Sequence, residues 1–393
     1  MKRDARLALL RSVAASTRPF LARRDGHGKW PERPRILLIR PDHLGDVLFV
    51  TPALRDLRRL WPQAHITCLV GPWAARILEG NPDLDQVLTC DFPWFNRRPR
   101  AGLLAPYRYL VSYARELRRQ RFDASVNLRF DFWWGAALAH LAGVPRRYGY
   151  DIPECRPFLT APSPYVEIVV HQVVRNYELA AALTREHGFS LEVPKAAGLA
   201  NRLSFQVAAE DRAAAASLLE GAGLSHAGCL VAIHPGTGSP VKRWLPERFA
   251  AVADYLNRES GAGIVLTGNA AERPLADAIS AKMSRPSWVA AGQTNLGQLA
   301  ALFQRCGLVI GVDSGPLHLA VALDVPTVHL FGPVDPAQFG PWGDPSRHVI
   351  VQAGMDCVPC NRLDYRMDEL RAHPCMERIS VQEVLEAARK VMA

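Results

Sequence analysis

Residues 229–245, CLVAIHPGTGSPVKRWL, and 308–332, LVIGVDSGPLHLAVALDVPTVHLFG, decide how this chain folds. Each runs an apolar strand into a polar, glycine-containing turn that opens a helix. Strands that are apolar along their whole length have both faces covered, as in a parallel sheet. A strand ending in such a turn leaves backbone N–H groups and the positive end of a helix at one edge of that sheet, where diphosphates and nucleotides bind. Lys242, Asp313, Ser314 and His318 are the polar side chains set there.

The same alternation extends in both directions. Upstream, 35–40 (RILLIR), 65–71, 86–90 and 124–128 read as strands, with helical stretches around 52–60, 73–79, 107–121 and 171–187. Downstream of 229–234, strands at 263–267, 288–291, 308–312 and 326–331 alternate with helices at 246–259, 271–283, 295–305 and 315–323. This alternation predicts α/β architecture: two Rossmann-like, doubly wound domains facing across a cleft. Periodicity is lost over 188–205, which places a linker at 191–205 between domains at 35–190 and 206–393, behind a basic helical prefix at 1–34. Ser380 and Glu383 have capping-box spacing at the start of a last amphipathic helix over 380–392, assigned to the second domain with the option of packing back on the first.

With 393 residues, 49% apolar and 22% charged, the chain has room for two ordinary cores. No stretch approaches the ~20 apolar residues that span a bilayer. The apolar run near the N-terminus is broken by Arg11, so it reads as neither a signal nor a span. The net charge of +9 is concentrated: residues 1–35 carry ten Lys/Arg against three Asp/Glu, and 92–121 carry eight Arg against one Glu, interleaved with aromatic residues. Such regions suit an anionic partner such as lipid phosphate at a membrane surface, or else they are solvated helix faces. No nucleic-acid-binding motif accompanies them, so no nucleic-acid partner is expected. Cys68, Cys90, Cys155, Cys229 and Cys306 sit singly in apolar runs and read as buried hydrophobes in a reducing compartment.

In RPDHLGDVLFVTPAL, strand gives way to turn and helix, and Asp46 falls at the carboxyl end of the strand. It reads either as a helix N-cap or as a general base, with Asp42 a second carboxylate on the same loop. HPGTGSPVKRW brings Gly236 and Gly238, where backbone amides can approach an anion, and Lys242, which is either solvated or on a phosphate. Glu272 begins a helix and suits a ribose hydroxyl or the helix dipole. His318, on the first turn after Asp313-Ser314-Gly315, is either packed or close to an anion. The D-x-D at Asp83–Asp85 lies before a strand and is not assigned a metal. Cys357 and Cys360, with Cys375 and His373 further on, have partial metal-site spacing.

Together these segments resemble glycosyltransferase family 9, the ADP-heptose:lipopolysaccharide heptosyltransferases, through RPDHLGDVLFVTPAL, HPGTGSPVKRW and DSGPLHLAVALDVPTVHLFGPVDP. The resemblance covers about 35–393 and implies a GT-B fold, with acceptor on the first domain and nucleotide sugar on the second. It implies Asp46 as catalytic base, Lys242 on the donor diphosphate, Asp313 on the donor sugar's hydroxyls, Ser314, Gly315 and His318 at the diphosphate-binding helix start, and Glu272 on the ribose. Thr237 and Gly238 match a loop with paired threonines in other members, so one hydroxyl remains here. Thr294 stands where some relatives place a Met on adenine. Some relatives also carry a four-cysteine iron finger; no Cys follows 375 here.

The expected activity is therefore inverting, metal-independent transfer of heptose from ADP-heptose to a lipopolysaccharide inner-core or related glycolipid acceptor. It is placed in the cytoplasm, peripheral to the inner membrane, with no cofactor. Arg97, Arg98 and Arg100 are the acceptor-binding candidates. Transfer of another nucleotide sugar, a protein acceptor and a non-catalytic nucleotide-sugar-binding protein are the alternatives. A nicotinamide oxidoreductase would need G-x-G-x-x-G after the first strand, and RPDHLGD lacks it.

Overall fold

The computed structural model describes residues 3–21, 29–96, 102, 104–366, 369–370 and 373–392. It divides into two compact units, Met1–Lys195 and Ala196–Ala393.

The first unit is built on β1 (Arg35–Arg40), β2 (His65–Val70), β3 (Gln86–Thr89), β4 (Ala124–Asn127), β5 (Arg146–Tyr150) and β6 (Ala161–Ser163), in the order β3-β2-β1-β4-β5-β6. Every pairing is parallel, with Ile36 opposite Ile66 on one side and Ala124 on the other. The second unit repeats the plan with β7 (Leu230–His234), β8 (Gly263–Leu266), β9 (Ser287–Val289), β10 (Leu308–Val312), β11 (Thr327–Phe331) and β12 (His348–Gln352), ordered β12-β11-β10-β7-β8-β9 and again parallel. Both sheets have the doubly wound Rossmann order, which reverses direction between β1 and β4 and between β7 and β10. The central strands β7, β10 and β11 are buried along their whole length, the physical counterpart of their largely apolar sequences.

Local signals set several boundaries. Helix Pro246–Ser260 ends where Gly261 turns to φ 63° and its N–H caps Asn257 O. Ser380 and Glu383 form the expected capping box, Ser380 N–H donating to Glu383 Oε2 at 2.7 Å and Glu383 N–H to Ser380 Oγ at 3.2 Å. The closing helix Val381–Met392 packs on β10, β11, β12 and helix Pro246–Ser260 of the second unit.

The helix expected at 73–79 is a turn followed by one 3-10 turn, Ala75–Ile77. Strands β5, β6 and β12 and helices Trp133–Leu141 and Ala209–Gly221 were not foreseen. Their causes are tertiary. Arg146 opens β5 because its guanidinium lies over the Trp30 ring, 4.4 Å from the centroid, and pairs with Glu186. β6 carries Pro162, tolerated because it is an edge strand. The basic helix Arg3–Leu21 is packed into the first unit: Leu10 and Ala14 join its core, and Thr17 Oγ1 meets His140 Nε2 at 2.8 Å. Among the described residues, no helix is long and apolar enough to cross a membrane.

Candidate active site

In an open parallel sheet the strands' carboxyl ends splay apart where the order reverses, and polar loops collect there. Each unit has such a group.

In the first unit it is centred on Arg40, the last residue of β1, only 2% exposed. A buried guanidinium requires compensation. Arg40 donates to Leu128 O at 3.1 Å and Asn176 Oδ1 at 3.2 Å, and its Nη2 donates to Asp46 Oδ1 at 3.1 Å. Its Nε pairs with Asp42 Oδ2 at 2.8 Å. Asp42 is also held by Arg129, which leaves β4 beside it and lies over the rings of Phe95 and Phe130. The Asp42 carbonyl accepts from Trp73 Nε1 at 2.9 Å. Asp46 belongs to the short helix Leu44–Leu48, where it makes no N-cap bond, since the cap position is His43. Its side chain keeps 26% exposure. Desolvation, then the neighbouring Asp42 charge, raise its carboxyl above the ordinary value, while Arg40, Arg129 and His43 oppose them. A partly exposed carboxylate with a raised proton affinity, fixed by one buried arginine, is suited to accept a proton.

In the second unit Lys242, on the 3-10 turn Pro240–Lys242, donates to Asp313 O at 2.9 Å and Asp313 Oδ2 at 3.0 Å. His318 Nε2 lies 3.7 Å from Asp313 Oδ1. Burial alone would raise the Asp313 carboxyl, but Lys242 and then His318 outweigh it and hold it at about 2. Asp313 is therefore a carboxylate throughout the working pH range. Ser314 is the N-cap of helix Gly315–Ala322 without a side-chain cap bond, and its buried Oγ has no partner among the described groups. Pro316 has no N–H, and the Leu317 and His318 N–H groups donate to Ser314 O at 3.2 and 3.4 Å, so Gly315 N–H is the first-turn donor presented at the same edge. Thr237 Oγ1 reaches Asp313 O at 3.5 Å.

Glu272 stands beside this group. Its Oε2 accepts from Asn269 N–H at 2.8 Å, and the carboxylate fills the space over Gly236, where a Cβ would lie 2.3 Å from Glu272 Cδ. A side chain at 236 would have to push that carboxylate aside. Gly238 is exposed on the turn, and Thr294 lies in the loop following β9, on the same edge of the sheet.

The structure thus brings Thr237, Lys242, Asp313, Ser314, Gly315 and His318 together with Glu272 nearby, and Asp46 together with Asp42. Sequence reasoning missed Arg40, Arg129 and Asn176, and behind His318 it missed His329, whose ring lies 5.8 Å away. Arg97, Arg98 and Arg100 lie outside the described residues. Cys357 and Cys360 are exposed and Cys375 is buried, all three as free thiols. Cys360 Sγ meets Tyr365 OH at 3.6 Å and His373 lies against the Tyr365 ring. Among the described residues no three His, Cys, Asp or Glu side chains converge as a metal site.

Two Rossmann-ordered sheets, each with a charged cluster at its switch point, define a glycosyltransferase architecture of the GT-B class. The profile of glycosyltransferase family 9 (heptosyltransferase) matches residues 110–370. The chain belongs to that family. It is 27% identical over 307 residues to lipopolysaccharide heptosyltransferase 3 of Escherichia coli, spanning 76% of this chain and 84% of that one. It is 26% identical over 329 residues to lipopolysaccharide heptosyltransferase 2 of Salmonella typhimurium, spanning 81% and 89%. Among solved structures, a glycosyl transferase family 9 protein from Veillonella parvula superposes with a TM-score of 0.76 at 26% identity, covering 93% of this chain and 98% of that one.

Proposed function

We propose that this protein is an inverting heptosyltransferase that takes its sugar from ADP-heptose and adds it to the inner core of lipopolysaccharide or a related anionic glycolipid, working in the cytoplasm at the inner-membrane surface. The observation that carries the reading is the Lys242–Asp313 pair at the open start of helix Gly315–Ala322. A diphosphate there meets a lysine with two of its three N–H bonds committed to Asp313, the Gly315 N–H at the positive end of the helix and the buried Ser314 hydroxyl.

The chemistry follows from charge. The acceptor hydroxyl oxygen forms a bond to the anomeric carbon as the carbon–oxygen bond to the diphosphate breaks on the opposite face, and configuration inverts. Asp46 takes the hydroxyl proton. The leaving diphosphate gains negative charge, which Lys242 and the helix start stabilise in the role a divalent cation would otherwise fill. Asp313, held ionised, accepts hydroxyl groups of the sugar, and Glu272 those of the ribose.

The test is product analysis. Purified protein, ADP-heptose and a heptose-deficient core glycolipid should give a product heavier by one heptose, with ADP released and the rate unaffected by chelator. Transfer from another nucleotide sugar but not ADP-heptose would reject the donor, and binding of ADP-heptose without product would reject the enzyme reading. Asp46→Asn should abolish transfer while leaving ADP affinity intact.

A further inference from the structure

The transfer chemistry leaves one face of the first unit unused. Helix Ala105–Arg119 buries Leu110, Ala114 and Leu117 in the core shared with helix Trp133–Leu141. Its other side faces solvent with apolar residues in place: Tyr107 is 45% exposed, Val111 41%, and Leu104, just before the helix, 61%. Trp94, 46% exposed, lies 6.0 Å from the ring of the buried Trp133, and Tyr107 lies 6.2 Å from the same ring, so the two exposed rings flank one buried indole. On the same helix Arg108, Arg115, Arg118 and Arg119 are exposed, with Glu116 the single exposed acid. Positions 104, 107, 108, 111 and 115 recur at helical spacing, so aromatic, aliphatic and basic side chains share a stripe. The basic helix Arg3–Leu21 packs on the same Trp133–Leu141 helix and leaves Leu9 and Val13 exposed at 49% and 37%.

Leu, Val, Trp and Tyr kept in water as one cluster, with arginines beside them, mark a surface that something covers. A nucleic acid would pair with the arginines but offers nothing to Leu104 and Val111. A protein groove would take the apolar residues without needing the surplus positive charge. An anionic bilayer surface takes both, because indole and phenol rings settle among headgroups, short aliphatic chains reach the acyl boundary, and guanidinium groups meet lipid phosphates.

We propose that this face, Trp94, Leu104, Tyr107 and Val111 with Arg108 and Arg115, docks the protein on an anionic lipid bilayer. The inference deepens the membrane-surface reading above by naming the surface. It rests on that reading only for why docking is useful: an acceptor carried by lipid is then met by an enzyme already at its plane.

The test is sedimentation of the full chain with phosphatidylcholine vesicles, with and without phosphatidylglycerol. The unaltered protein should sediment with the mixed vesicles and lose that binding in high salt. Arg108→Ala/Arg115→Ala should weaken the partition roughly thirty-fold, from about 1 kcal/mol per arginine. Leu104→Glu/Val111→Glu should abolish it. Arg258→Ala/Arg285→Ala, on the second unit, should leave it unchanged. All variants should keep the far-UV circular dichroism and urea midpoint of the unaltered protein, which shows that the fold of the first unit is retained. Unaltered vesicle binding in both first-unit variants overturns the proposal. Tighter binding to single-stranded RNA than to vesicles, lost with the arginines alone, overturns it in favour of nucleic acid. Failure of transfer to a water-soluble acceptor would count against the activity alone, since the vesicle measurement decides docking without turnover.

Discussion

Replacing Arg40 by Gln should move the acid limb of the pH–rate profile. At 3.1 Å between Arg40 Nη2 and Asp46 Oδ1, the charge–charge attraction at an effective dielectric constant of about 20 is about 5 kcal/mol. Asp46 retains 26% exposure, and solvent screening brings this to about 2.5 kcal/mol. Burial and Asp42 already raise the Asp46 carboxyl, and Arg40 is the foremost group opposing them. Its removal therefore raises the carboxyl further, and activity at mildly acid pH falls first. The acid limb of kcat/KM reports the base in the free enzyme, so initial rates of ADP release between pH 5 and 9 give the shift directly. Arg40→Lys keeps the positive charge and should leave the limb near its original place. Breaking a buried pair costs about 3–5 kcal/mol, so urea unfolding of each variant must accompany the kinetics. A folded Arg40→Gln protein whose acid limb has not moved would refute the assignment of Asp46 as the base under Arg40's control.

The other expectations are narrower. Lys242→Ala removes a charge-assisted contact of about 1.5–3 kcal/mol, so ADP affinity measured by calorimetry should fall roughly ten- to a hundred-fold; an unchanged affinity would place the diphosphate elsewhere. Gly236→Ala would put a methyl group 2.3 Å from Glu272 Cδ, which should weaken ADP binding and leave pyrophosphate binding nearly unaltered, whereas equal losses would separate Glu272 from the nucleoside. Stability should fall in mild acid, because burial lowers the imidazoles of His329 and His348, the latter to about 4. The unfolded chain then binds more protons, so stability is full above pH 6.5 and is lost as pH falls toward 4; for His348 alone this is about 3 kcal/mol, readable as a lower urea midpoint at pH 4.5 than at pH 7.5 and reduced by His348→Gln.

What could be read from the sequence alone depended on whether the cause was local. β7, β10 and β11 are largely apolar runs, and each acts through its own neighbours. Lys242, Asp313 and Ser314 were visible because a glycine-containing turn follows a buried strand, and that turn settles where the backbone amides point. The Asp46 environment was hidden for the opposite reason. Arg40 looks like the polar end of RILLIR, yet its bonds go to Leu128, 88 residues away, and Asn176, 136 away. Only the pairing of β1 with β4 puts Arg129 over Asp42, and only the return of helix Gln172–Glu186 supplies Asn176. His329 was hidden within the apolar strand TVHLF, where Thr327 Oγ1 bridges its Nε2 and His348 Nδ1 at 2.9 Å each. A titratable group inside a hydrophobic run reads as a defect in one dimension and as a member of a hydrogen-bonded chain in three. Here the two cases have different consequences: the histidine chain lies behind the proposed donor site and bears on stability, whereas Arg40 touches the carboxylate proposed to accept the proton. The residue that a strand pattern explains most easily is therefore the one whose substitution should move the chemistry.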